Sequence, residues 1–253
     1  MNIALFADDE VGLETARVFQ QQGRVPSCLV LDARDRKGLN NLIVEAAGVP
    51  SGRVVLAQEL DSLTCMEWLR TQQIDLGVLA WWPFIIKPTL LSIPSIGFLN
   101  FHPSLLPHNR GKDPNFWTLK DQTPAGVSIH FVDEGIDTGD VAFQALLETS
   151  WEDTGESLYA RSKQSLVQLF RENLPRICAG DIPRVPQSNI EGSFHKRQEI
   201  DPASRLDLDA SYRGRDLLNL LRARTFAPHP GAWFVDREQR YEVRVTISKA
   251  SRT

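Results

Sequence analysis

NIALFADDEVGLETARVFQQQGRVPSCLVLD, residues 2–32, is one complete strand–helix–strand unit. NIALFA (2–7) is a continuous apolar run that opens into the polar turn Asp8-Asp9-Glu10. Val11, Leu13, Ala16, Val18 and Phe19 then recur at helical spacing over 11–22. Gly23 is a helix stop, and VPSCLVLD (25–32) is a second apolar strand. The alternation continues with a helix over 40–47, extended RVVLAQ (53–58), a helix over 59–73 and the buried strand IDLGVLAWW (74–82). This order predicts βαβ units and an α/β fold, a Rossmann-like, mostly parallel sheet with helices on both faces. Parallel strands covered on both faces need unbroken apolar runs, which LVL, VVLA and LGVLA supply.

GFLNFH (97–102), VSIHFVDEG (127–135) and VAFQALLE (141–148) extend the strand series. One long amphipathic helix follows over 154–178 and stops at Ala179-Gly180-Asp181. From about Arg184 the alternation weakens. A polar segment (187–209), a helix over 214–225, FAPHPGAWF (226–234) and a charged hairpin around Arg237-Glu238-Gln239-Arg240 form a small C-terminal α+β subdomain. The expected division is therefore a main domain over 1–183 and a subdomain over 184–253.

At 253 residues the chain suits one large domain, or a core with a modest appendage. It is 42% hydrophobic and 24% charged, with a formal net charge of -4, an ordinary globular balance. That charge argues against a bulk electrostatic grip on nucleic acid, so no nucleic-acid partner is expected. No apolar run reaches membrane-spanning length, and the opening MNIALF reads as a strand rather than a signal peptide. Cys28, Cys65 and Cys178 are scattered, odd in number and without metal-ligand spacing. They read as reduced core residues of a cytoplasmic protein, and no metal is expected.

Ligands of open α/β sheets collect beyond the carboxyl ends of the strands. LGVLA ends there in Trp81-Trp82-Pro83, core aromatics or a pocket wall, and GFLNFH ends in Asn100-Phe101-His102. Two residues apart on an extended segment, Asn100 and His102 share a face and can converge on one point. VSIHFVDEG is expected as a third such strand, with its end delivering Asp137 to the pair. An amide donor, an imidazole and a carboxylate in one cleft can run acyl transfer without a metal or a covalent nucleophile. His130 sits mid-strand between Ile129 and Phe131 and reads as structural, while His108 and His229 lie beside prolines in loops.

Three linked motifs then carry a resemblance. Asn-x-His-Pro-Ser-Leu-Leu-Pro (100–107), Gly-Val-Ser-Ile-His-Phe-Val (126–132) and Gly-Ile-Asp-Thr-Gly-Asp (135–140) resemble the formyltransferase family. Its members move a formyl group from N10-formyltetrahydrofolate to an amine, of glycinamide ribonucleotide, methionyl-tRNA or a sugar nucleotide. The resemblance implies that Asn100, His102 and Asp137 are catalytic. It also implies that Trp82, Phe84, Ile85, Ile86, Val132, Glu134 and Ile136 line a folate pocket, with N10-formyltetrahydrofolate as co-substrate and no metal.

Three features narrow the acceptor. The first βα turn is acidic and almost free of glycine, so it repels rather than cradles a phosphate, against the purine-pathway pattern. The segment 31–37 is short and mixed in charge, and the chain ends at Thr253 without the tRNA enzymes' C-terminal barrel, although 217–234 resembles their region just before it. Arg110-Gly111-Lys112-Asp113-Pro114-Asn115-Phe116-Trp117 resembles a segment of sugar-nucleotide N-formyltransferases. Arg110 and Lys112 can face a diphosphate, and Phe116 or Trp117 can stack on a base or sugar. His195 and Lys196, within GSFHKR (192–197), offer a second cationic cluster that either completes a phosphate site or caps a linker. The expected acceptor is a nucleotide-linked amino sugar, such as a dTDP-4-amino-4,6-dideoxy sugar of surface polysaccharide (O-antigen) assembly. The alternatives are a methionyl-tRNA formyltransferase-like enzyme, a formyltetrahydrofolate hydrolase and a non-catalytic binder that keeps the fold. The apolar Ala232-Trp233-Phe234 makes a homodimer the expected assembly.

Overall fold

The computed structural model describes residues 1–187 and 191–250; residues 188–190 of the polar segment and 251–253 of the C-terminal subdomain lie outside them. In chain order the elements begin β1 (Ile3–Ala7), α1 (Asp9–Gln21), β2 (Cys28–Leu31), α2 (Asn40–Ala47), β3 (Val54–Leu56), α3 (Leu63–Thr71) and β4 (Leu76–Ala80). They continue α4 (Pro88–Leu91), β5 (Gly97–His102), β6 (Arg110–Gly111), α5 (Pro114–Asp121), β7 (Gly126–Phe131), β8 (Val141–Leu146) and α6 (Gly155–Cys178). The last are β9 (Phe194–His195), α7 (Ile200–Ala203), α8 (Gly214–Arg224), β10 (Ala232–Asp236) and β11 (Gln239–Val243).

These elements form two compact units that interleave in sequence. The first comprises Met1–His102, Ser128–Gln144 and Gln164–Gln187. The second comprises Pro103–Val127, Ala145–Lys163 and the described part of Ser188–Thr253. The chain leaves the first unit after His102 and returns at Ser128.

The first unit is built on a seven-stranded sheet of order β3-β2-β1-β4-β5-β7-β8. From β3 to β5 every pairing is parallel, which gives the expected α/β, mostly parallel sheet. The chain switches direction of growth between β1 and β4, the place where such sheets open a ligand crevice. β7 departs from expectation. It pairs with β5 antiparallel, Leu99 opposite Phe131 and His102 opposite Ser128. The chain therefore re-enters beside β5 at the end of the strands from which it left, as an antiparallel pairing requires.

Both faces of this sheet are covered. On one face Ala4 and Phe6 pack with Cys28, Val30, Met66 and Leu69, and the Phe6 ring meets Phe98 edge-on at 5.4 Å. Phe98 lies across β4, where a Cβ on Gly77 would stand 2.1 Å from its ring, so that position admits glycine alone. On the other face Phe101 meets Phe170 of α6 at 5.3 Å, and Phe170 meets Phe19 of α1 at 5.6 Å. Each buried ring contributes roughly 1.5–3 kcal/mol. The three cysteines are unpaired, and burial pushes the Cys28 thiol up to about 12.

In the second unit Phe116, Trp117 and Leu119 of α5 pack with Leu220 and Ala223 of α8. β10 and β11 form the expected hairpin, joined by Arg237 and Glu238 at φ 45° and 68°. A two-residue turn with both φ values positive matches the right-handed twist of the flanking strands. Among the described residues no helix is long and apolar enough to cross a membrane.

Candidate active site

The alternation of β5 places Phe98, Asn100 and His102 on one face and Leu99 and Phe101 on the other. Antiparallel register sets His130 directly opposite Asn100 and Ser128 opposite His102, so two polar pairs face the same way. Asp137 arrives from the loop between β7 and β8 rather than from the carboxyl end of a parallel strand. Its Oδ2 lies 3.4 Å from His102 Nδ1, and its Oδ1 lies 3.4 Å from His130 Nε2. Asn100 Nδ2 stands 3.2 Å from His130 Nε2 and 3.5 Å from Asp137 Oδ1. Asn100, His102 and Asp137 therefore come together as anticipated, with His130 as a fourth member. His102 and His130 are both buried, at 4% and 2% exposure, and their rings meet edge-on at 6.1 Å.

His130, read from the sequence as structural, joins this hydrogen-bonded cluster. Its Nδ1 is 2.8 Å from the Phe131 carbonyl, so Nδ1 carries the proton and donates. In the neutral ring Nε2 then accepts from Asn100 and fixes which way the amide points. The signal lay in VSIHF, where polar residues at 128 and 130 alternate with apolar ones at 127, 129 and 131. That is the same period of two that singled out Asn100 and His102.

The loop that carries Asp137 is held at several points. Asp133 Oδ1 accepts from the Gly135 N–H at 3.0 Å and from the Thr138 hydroxyl at 2.7 Å. The Phe131 N–H donates to the Asp140 carbonyl at 2.8 Å. A Cβ on Gly139 would stand 2.0 Å from the Phe131 oxygen, so the close return of the loop excludes any side chain there. Gln187, 5% exposed, donates its amide to the carbonyls of Asp137 at 3.0 Å and Gly139 at 2.6 Å. An antiparallel bridge between Val141 and Val185 brings Gln187 into position. Nothing in the sequence marked Gln187, because it opens a polar segment of no regular period.

The residues expected along the folate pocket divide. Trp82 meets Phe6 at 5.4 Å and Phe84 at 5.3 Å, and its indole Nε1 is buried without a hydrogen-bond partner among the described residues. Trp82 and Val132 pack on the same cluster. Phe84, Ile85 and Ile136 present apolar surface at 38%, 86% and 53% exposure, and Glu134 is exposed. Ile86 is instead a core residue, buried with Leu79 and Leu90, so it supports the wall rather than forming it. Arg34 lies 4.7 Å over the Phe84 ring and pairs with Asp32 at 2.6 Å, which holds the Asp32 carboxyl below its ordinary range. At the acidic turn, burial pushes the Asp8 carboxyl upward. Among the described residues no cluster of side chains suits a metal ion.

In the second unit the two cationic segments meet. β6 pairs with β9, with the Arg110 N–H donating to Ser193 O and the Lys112 N–H to His195 O, both at 2.9 Å. Arg110, Lys112, His195 and Lys196 thus sit on adjacent short strands, with both lysines exposed. Of the two rings expected to stack on a ligand, both are largely buried. Phe116 is 1% and Trp117 5% exposed within the α5–α8 core. The His195 ring already stacks on Trp117 at 3.8 Å and 7°. α5 is apolar at successive positions, so Trp117 turns into the core with its face taken by His195, while the largely buried Phe116 still borders a cavity of the second unit.

Residues 32–174 match the Formyl transferase family, and residues 199–249 match the N-formyltransferase dimerization C-terminal domain. The methionyl-tRNA formyltransferase of Methylacidiphilum infernorum (isolate V4) is 33% identical over 163 residues, 62% of this chain and 51% of that protein. The chain thus matches about half the length of that curated relative. A sugar N-formyltransferase from Shewanella sp FDAARGOS_354 shares the fold with a TM-score of 0.79 at 19% identity, over 99% of each chain. The N-formyltransferase of Helicobacter canadensis, solved with folinic acid and dTDP-3-aminofucose, does so with a TM-score of 0.73 at 18% identity, over 94% of this chain and 85% of that one. With its matched segment covering more than half of its length and the three motifs lying within or beside β5, β7 and the Asp137 loop, the chain belongs to the formyltransferase family.

Proposed function

We propose that this protein transfers the formyl group of N10-formyltetrahydrofolate to the amine of a nucleotide-linked amino sugar. The observation that carries the reading is the convergence of Asn100, His102 and Asp137 on one face of the sheet, within 3.5 Å of one another through Asp137. The acceptor amine attacks the formyl carbon as the free base and builds a tetrahedral centre with an oxyanion. Asn100 donates to that oxygen; its longer N–H contact, the one to Asp137, is the one an incoming oxygen captures most readily. His102, oriented at Nδ1 by Asp137, donates through its other ring nitrogen. Asp137 takes the proton from the attacking amine, directly or through water, and returns it to the departing folate nitrogen. Trp82, Phe84, Ile85, Val132, Glu134 and Ile136 line the folate side.

The acceptor assignment draws support from the pairing of β6 with β9, which sets Arg110, Lys112, Lys196 and the His195 imidazole beside one another. Arg110, Lys112, His195 and Lys196 suit a diphosphate. The Helicobacter canadensis neighbour, solved with dTDP-3-aminofucose, supports the same substrate class. Methionyl-tRNA remains the second acceptor to test, because the curated relative carries that name. The decisive experiment supplies N10-formyltetrahydrofolate with a panel of nucleotide-linked amino sugars, methionyl-tRNA or buffer alone, and weighs products by mass spectrometry. A formyl mass gain on an amino sugar with negligible formate in buffer supports the reading. Gain on methionyl-tRNA alone, or formate release without any amine, overturns it. The match of 199–249 to a dimerization domain extends the proposal to a homodimer.

A further inference from the structure

Two arginines stand two residues apart at the end of α8, and they are treated in opposite ways. Arg222 is 7% exposed and satisfied: its Nε donates to Asn219 Oδ1 at 2.9 Å and its Nη1 to Ser150 O at 2.6 Å. Arg224 is 8% exposed, and its Nε is buried with no hydrogen-bond partner among the described residues. Asp113, Asp201 and Glu242 favour its charge from a distance, while burial pulls its guanidinium below the ordinary arginine range. Two of those carboxylates are engaged elsewhere, Asp201 with Arg240 at 2.8 Å and Glu242 with Arg244 at 3.0 Å. A buried donor left without an acceptor forfeits its full desolvation cost, the more so on a charged group.

Arg224 lines a cavity of about 390 Å³ in the second unit, within the range of small-molecule sites. Exposed Arg197 and His229 stand at the same cavity, which Asp113 also lines. Tyr159 and Phe226 form one wall, with ring centroids 5.2 Å apart, and His229 meets Phe226 edge-on at 4.7 Å. Two guanidiniums and an imidazole suit an anion of more than one charge. The aromatic wall suits a planar ring, and Asp113 suits a hydroxyl or ring N–H. We propose that this cavity binds a nucleoside diphosphate, its phosphates on Arg224 and Arg197 and its base against Tyr159 and Phe226. The choice of a nucleotide rests in part on the acceptor class proposed above; the nucleotide is either a free one or part of that acceptor, and in the latter case the diphosphate sits here and Arg110, Lys112 and Lys196 face the rest of the acceptor.

The test is titration calorimetry on the full chain with dTDP, UDP and inorganic diphosphate. The variants are Arg224→Met, which keeps the buried stem, and Arg197→Ser at an exposed position. Circular dichroism and binding of 5-formyltetrahydrofolate serve as folding controls. Expected is a roughly tenfold or greater loss of nucleoside diphosphate affinity in R224M and a smaller loss in R197S, with folate affinity unchanged. If R224M fails to fold, R197S carries the test. Wild-type affinity in the folded variants, or no nucleoside diphosphate binding by the wild type, overturns the proposal. Competition with a nucleotide-linked amino sugar at one site per chain assigns the cavity to the acceptor, and two sites per chain assign it to a free nucleotide; both support the site. If no amino sugar is formylated while R224M still loses dTDP, the acceptor reading fails and the cavity assignment stands.

Discussion

The cluster on β5 and β7 and the cavity at the end of α8 are both polar and both buried, yet they are built on opposite principles. Asn100, His102, His130 and Asp137 partner one another, on paired strands and a loop tied down by Gln187. Arg224 is buried with its Nε unmatched among the described residues, on a helix end beside loops. The first arrangement fits a site that must hold donors in place before the reaction begins, since catalysis rewards groups that need no reorganisation. The second fits a site that an incoming anion completes. On the proposed reading, catalytic preorganisation falls to residues of the first unit and acceptor recognition to residues of the second.

The sharpest way to break that comparison is His102→Ala. Loss of a donor to the oxyanion is expected to lower formyl transfer at least about a hundredfold while 5-formyltetrahydrofolate still binds. Steady-state transfer beside equilibrium folate binding checks this, and turnover near wild type removes His102 from the chemistry. His130→Ala tests the fourth member: it frees the Asn100 amide to rotate, so kcat falls by roughly tenfold or more with the folate KM little changed. An unchanged kcat returns His130 to a packing role. Gln187→Ala removes the amide donor to two loop carbonyls, and thermal unfolding should register a loss of about 1–3 kcal/mol, with kcat falling alongside it. Stability lost without any loss of kcat would show that the loop keeps Asp137 in place unaided.

On the recognition side, Lys112→Ala is expected to raise the acceptor KM several-fold more than it lowers kcat, because an exposed lysine serves ground and transition states alike. An unchanged KM makes Lys112 a solvated loop residue. The smallest effect is expected at Asp32→Asn. The Arg34 guanidinium holds the Asp32 carboxyl below its unfolded value, so the pair stabilises the fold above that unfolded value, near pH 4, and is lost as pH falls through the lower folded one. The melting-temperature gap between wild type and variant should therefore shrink as acid protonates Asp32. A gap independent of pH assigns the difference to packing.

What the sequence disclosed follows from which physical signals are local. Asn100 and His102 were legible because strand alternation is a two-residue rule. The alternating βα runs likewise disclosed the parallel part of the sheet. The direction of β7 was not legible, since VSIHF reads the same in either sense and the connection alone decides it. The burial of Phe116 and Trp117 was not legible because adjacent apolar residues on a short helix name no single face. Arg224 went unnoticed for a different reason: cations in the last turn of a helix usually face water and the helix dipole. Only packing reveals that this one is enclosed.

Asp137 sits at φ 55°, a left-handed backbone angle that asparagine and aspartate adopt far more readily than longer side chains. Chemical and geometric conservatism consequently part company at this position. Exchange for glutamate would keep the negative charge yet burden the backbone and overreach both imidazoles. Exchange for asparagine would leave the chain path intact and silence only the carboxylate. On the proposed mechanism, Asp137→Asn is therefore expected to give an inert protein of unaltered shape, the form in which to trap both substrates together.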